Sequence, residues 1–154
     1  MIIVGVEGAA AYENLLASGC VAELTDPLGQ TAGYVNQQIS GSDYLHADRA
    51  RAIVQRKMAG LFDDYDVLAA PKLPVAATPL EMNLETNLSF PDPLGALGNM
   101  CGLPAASVPC GLNEKGLPVG LLFVARAGND LAAVQAARTF QQYTIWHKRR
   151  PPIH

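Results

Sequence analysis

The chain has 154 residues, of which 49% are hydrophobic and 16% charged, a balance that supports a packed core and excludes disorder as a description of the whole. Its formal net charge is -3, and its Lys and Arg residues are scattered apart from Lys148-Arg149-Arg150, so no face for neutralising phosphates is evident and nucleic acid is not an expected ligand. The longest apolar stretches, such as Val67 to Ala70 and Leu121 to Ala125, fall far short of a bilayer span and no basic segment precedes Ile2-Ile3-Val4, which reads as a soluble, cytoplasmic chain.

In chain order, a first helix is expected over about residues 7–18, with Ala9, Tyr12, Leu15 and Leu16 at helical spacing and Gly19 placed for a left-handed end. Residues 19–41 contain Asp26-Pro27, Gly29, Gly33 and a polar Asn36-Gln37-Gln38 run, and read as a connection holding at most one helical turn. Ser42 is read as the N-cap of a long helix through about Phe62, with Ala47, Ala50, Val54, Met58 and Leu61 on one stripe. A short strand over Tyr65 to Ala70 is expected to stop at Pro71 and Pro74, because proline donates nothing to a ladder.

Residues 81–102 are rich in Pro, Asn and Gly, with Leu94 to Met100 a candidate helix. Ala105 to Cys110 reads as a buried strand, Asn113-Glu114-Lys115-Gly116 as a turn and Val119 to Ala125 as the returning strand of a β-hairpin. Asn129 or Asp130 caps a last helix through Tyr143, whose Leu131, Val134, Ala137 and Phe140 define its expected buried face; Trp146 and Pro151-Pro152 follow. Alternating helices and buried strands are an α/β pattern, and strands this apolar want neighbours and cover that 154 residues supply only in part.

Cys20, Cys101 and Cys110 are odd in number and form no Cys-x-x-Cys pair, so free thiols are expected rather than disulfides or a zinc site. His46, His147 and His154 have no ligand partner at helical spacing, and no metal or cofactor is implied.

The text Gly102-Leu103-Pro104-Ala105-Ala106-Ser107-Val108-Pro109-Cys110-Gly111, followed by Gly116-Leu117-Pro118-Val119-Gly120-Leu121, resembles the strand pair near the C-terminus of amidase-signature hydrolases, a family that includes the A subunits of glutamine-dependent tRNA amidotransferases. Tyr65-Asp66-Val67-Leu68 before a proline-rich loop, Ser42-Asp43-Tyr44-Leu45 opening a long helix, and Trp146-His147-Lys148-Arg149-Arg150-Pro151-Pro152 agree in order. Such enzymes are about three times as long, so the resemblance implies the C-terminal part of an amidase-like domain over residues 1–154, with short mixed-sheet strands covered by helices. It also implies hydrolysis of a carboxamide C–N bond in the full enzyme, a small amide substrate, and partnership either with the missing N-terminal segment or with a second copy.

The chemistry of that family uses a serine nucleophile, a second serine joined through a cis peptide and an upstream lysine, because a hydroxyl needs a base to lose its proton and the oxyanion needs N–H donors. No such stretch occurs here, and no catalytic residue is assigned. Ser40-Gly41-Ser42 reads as helix capping, Lys72 as a solvated side chain where relatives carry a small hydroxyl residue, and Ser107 as a packed small residue without a nucleophile elbow. Asn99 precedes Gly102 at the offset where relatives carry a pocket-bordering asparagine, and stands as a substrate-pocket candidate beside the alternative of a turn asparagine; Cys101 is the second candidate, against the alternative of a buried thiol packing as a small hydrophobe. Lys148-Arg149-Arg150 reads as a solvated tail, with binding of an acidic partner as the minor alternative.

Overall fold

A computed structural model describes residues 2–83 and 94–150; Pro151-Pro152 and most of the Pro-rich stretch after Met82 lie outside them. The chain forms two compact units, Met1–Val54 and Gln55–His154.

The first unit is helical. Helix α1 spans Ile2–Ala11 and α2 spans Glu13–Ser18, and the break between them falls at Tyr12, which leaves helical geometry at φ -106° and ψ 24°. Gly19 ends α2 in the left-handed region at φ 75°, as its position suggests, and a 3-10 turn follows over Cys20–Glu23. The stretch read as a connection contains a ten-residue helix, α3, over Pro27–Asn36. Asp26-Pro27 is its start rather than a breaker: the Asp26 carboxylate accepts from the N–H groups of Leu28 and Gly29 at 3.1 and 2.9 Å, and proline fits the first helical position because its absent N–H would be unpaired there. The glycines that argue against a helix let α3 lie close to its neighbours. A Cβ on Gly33 would fall 2.4 Å from Leu16 Cδ2, and one on Gly5 would fall 2.7 Å from Asn36 Oδ1. The core here is small, Ala9, Leu16 and Val21, and the Tyr34 hydroxyl donates to the Leu16 carbonyl at 2.9 Å.

Helix α4, Gly41–Leu61, carries the division between the units within its length. Its cap is Ser40 rather than Ser42. Ser40 Oγ accepts from the Asp43 N–H at 3.1 Å and donates to the Asp43 carboxylate at 2.7 Å, and Tyr44 N–H makes the first helical bond to Ser40 O. The helix is as long as its periodicity predicts, but of the stripe only Met58 is buried, while Leu45 and Ile53 are exposed.

The second unit is built on a sheet. Strands β1 (Val67–Pro71), β2 (Ala105–Leu112) and β3 (Pro118–Ala125) lie in the order β1-β3-β2, with both pairings antiparallel. The β2–β3 hairpin is as expected, with Asn113 Oδ1 accepting from the Lys115 and Leu117 N–H groups across its turn. Pro71 belongs to β1 and Pro109 to β2. Both strands are outer ones among those described, where a missing N–H is tolerated, and Cys110 sits at a register shift between Pro109 and Gly111. Phe62, Leu122 and Val124 form the core on one face of the sheet, joined by Leu68, Leu94 and Leu103. Helix α5 (Gly95–Cys101) feeds this core. Gly102, at φ 69°, donates to Asn99 O and Leu103 N–H donates to Gly98 O, a Schellman end that sends Leu103 into the cluster.

The final helix, α6, spans Asp130–Gln142; Asn129 caps it by accepting from Ala132 N–H. Its buried face is Ala133 and Ala137, with Phe140 against Phe123 at 6.0 Å between ring centroids. Leu131 and Val134, expected inside, are 64% and 56% exposed: small alanines set the close approach to the sheet, so it is they that the helix turns toward it. A 3-10 turn over Trp146–Lys148 closes the described chain.

Candidate substrate-pocket residues

Helix α5 carries both pocket candidates, Asn99 and Cys101, but places them in different environments. Asn99 lies inside α5 rather than in a turn. Its side chain is exposed, and its backbone carbonyl is the acceptor in the helix end. Cys101 is buried at 6% exposure, and burial pushes its thiol pKa up, so the neutral, poorly nucleophilic form is favoured. His147, the histidine of the same unit among the described residues, has a buried Nδ1 with no hydrogen-bond partner. Cys20, Cys101 and Cys110 are all free.

Three residues converge in a way the sequence does not announce. Ser107, expected inside, is exposed, because β2 is an outer strand and alternation turns Val108 inward while Ser107 faces out. It stands beside Gly120 of β3. A Cβ on Gly120 would lie 3.4 Å from Ser107 Oγ and 3.3 Å from Lys72 Cβ, and Lys72 N–H donates to Gly120 O at 2.9 Å. Lys72 thus extends the β1–β3 ladder beyond Pro71 instead of trailing into a loop. The hidden signal is register: the turn residues place β2 against β3, but the shift at Cys110 changes which residue faces Gly120. The serine–carboxylate hydrogen bond between Ser40 and Asp43 is the cap of α4. No group of His, Cys, Asp and Glu among the described residues could hold a metal ion, and none of the described helices is long and apolar enough to cross a membrane.

A helix-fed antiparallel hairpin, flanked by a third strand and covered by a C-terminal helix, places the chain in the α/β class. The sequence profile of the family described as Amidase matches residues 6–134, and the chain belongs to that family. Among curated relatives, the A subunit of glutamyl-tRNA(Gln) amidotransferase from Gloeothece citriformis is 31% identical over 92% of this chain and 30% of its own length, and its counterpart from Moorella thermoacetica is 38% identical over 71% of this chain and 23% of its own. The chain therefore spans less than a third of the relatives it matches. A structure from a vestigial protein complex bearing on the origins of an s-triazine catabolic enzyme superposes with a TM-score of 0.81 at 23% identity, covering 97% of this chain and 34% of that one. A bacterial aryl acylamidase of the amidase-signature family superposes at 0.72 and 24% identity, covering 97% and 35%. These likenesses confirm the α/β amidase fold.

Proposed function

We propose that this chain is the C-terminal part of an amidase-signature hydrolase that cleaves a carboxamide C–N bond through an acyl-serine intermediate, and that the chain alone does not turn over amides. The observation that carries the reading is structural agreement over nearly all of this chain paired with coverage of only about a third of each relative. The chemistry of the described residues agrees with it. Cys101 is held as a neutral thiol, Ser107 is set beside a glycine and the Lys72 Cβ, and the serine bonded to a carboxylate caps a helix. In the whole enzyme the chain would supply sheet strands and, through Asn99 and Cys101, part of the pocket wall for a small amide. Its three free thiols suit the cytoplasm.

The test is ammonia release from a panel of small amides, run on material of verified mass 16.3 kDa. No turnover is expected, and clear turnover from that single species would overturn the reading. A partner is favoured by exposed apolar side chains such as Val4 at 61%, Leu45 at 53% and Ile53 at 49%. The occupant is either a separate chain carrying the Gly/Ser-rich signature and its lysine or a second copy; activity restored by the former, or a dimer on sizing, tells them apart.

A further inference from the structure

Every acidic residue of the chain lies at or before Asp130, whereas Arg138, Lys148, Arg149 and Arg150 come after it. A chain of net charge -3 thus carries a C-terminal stretch whose charged side chains are all cationic. The fold gathers part of that stretch around an open cavity of about 450 Å³ at the end of α6, lined by Arg138, Gln141, Gln142, Thr144, His147 and Lys148 among others. The four basic residues are not equivalent. Arg149 lies over the Trp146 ring at 4.7 Å, and Arg150 is turned back onto the carbonyls of His147 and Arg149. Arg138 and Lys148 have no carboxylate partner among the described residues, and both face the cavity. His147 lines it too, with a buried Nδ1 that lacks any hydrogen-bond partner, an arrangement that is unfavourable until a polar group meets it.

The bland account is that these cations only complement the negative end of the α6 dipole. That accounts for positive charge near the carbonyls. It does not account for a cavity between the cations or for an unsatisfied imidazole in its wall.

We propose that this cavity, lined by Arg138, His147 and Lys148, is a binding site for a phosphate monoester group. Two full cations with no acid in the lining suit a dianion better than a single carboxylate, and a phosphate monoester carries about -1.5 to -2 at neutral pH. The neutral donors Gln141, Gln142 and Thr144 supply further contacts to its oxygens. The site is independent of the amidase reading, since none of its residues belongs to the pocket candidates.

The experiment is an NMR or calorimetric titration of the chain with inorganic phosphate and with O-phosphoserine, with acetate as the monoanionic comparator. Saturable phosphate binding is expected, weakened roughly tenfold or more by Arg138→Gln or Lys148→Gln and unchanged by Lys115→Gln on the hairpin turn, as befits loss of a charge-assisted contact. Because the substituted residues are exposed, an unaltered thermal midpoint confirms that each variant is folded. A phosphoserine peptide binding more tightly than free phosphoserine assigns the group to a protein, and equal binding assigns it to a small molecule. Absence of saturation, equal binding by the Arg138 and Lys148 variants, or acetate binding as tight as phosphate would overturn the proposal.

Discussion

The two compact units reach a packed interior by opposite means. In Met1–Val54 the interior is three modest side chains, and helices approach so closely that Gly5 and Gly33 have no room for a Cβ without displacing Asn36 or Leu16. In Gln55–His154 a sheet holds large side chains at a distance, with Val124 and Ala125 wholly buried and Phe62, Leu122 and Leu103 filling the space over one face. Close backbone approach makes a core sensitive to added atoms, whereas a side-chain-filled core is sensitive to lost ones.

Substitutions that add or remove volume sharpen this contrast. The largest effect is expected for Leu122→Ala, at about 2–5 kcal/mol of stability, read by denaturant unfolding together with loss of amide protection in β3. Gly33→Val is expected to cost about 1–3 kcal/mol through Leu16, with protection lost in α1 and α3. If instead Leu16 swings away at no cost, the first unit is not limited by close approach and the contrast fails. Gly102→Ala tests the Schellman end that delivers Leu103; about 1 kcal/mol is expected, because alanine resists a φ of 69°. Asp26→Ala is expected to cost about 1 kcal/mol, visible as fraying of α3 by hydrogen exchange. The smallest perturbation is chemical: a thiol reagent at neutral pH should label exposed Cys20 well before Cys101, and preferential labelling of Cys101 would contradict its raised pKa and burial.

The second unit is the more legible in sequence, for a physical reason. Its hairpin is written locally, in an apolar run, a turn with asparagine at its start and glycine at its end, and a returning apolar run, and Asn129 marks the last helix with a cap. Ser107 and Leu131 depart from expectation because burial depends on strand order and on which stripe of a helix meets the sheet, and neither is local. In the first unit α3 is hard to read from sequence since Gly29 and Gly33 lower helix propensity, and only the neighbouring Leu16 explains why Gly33 belongs there. The true cap of α4 is written in the Ser40-x-x-Asp43 spacing, two residues ahead of Ser42. Asn99 and Cys101 enter as pocket candidates through their offset from Gly102 alone; the meeting of Lys72, Gly120 and Ser107 is not legible, because it needs the register of three strands.

The close approach in the first unit also divides its glycines into two evolutionary classes. Gly8 sits in α1 with nothing near the point where a Cβ would stand, so alanine there gains about 0.5–1 kcal/mol of helix stability and the position is free to drift. Gly5, three residues earlier on the same helix, accepts a side chain only if the Asn36 side chain shifts or is replaced. Paired replacement at 5 and 36 is therefore the covariation that sequences sharing this helical packing should record.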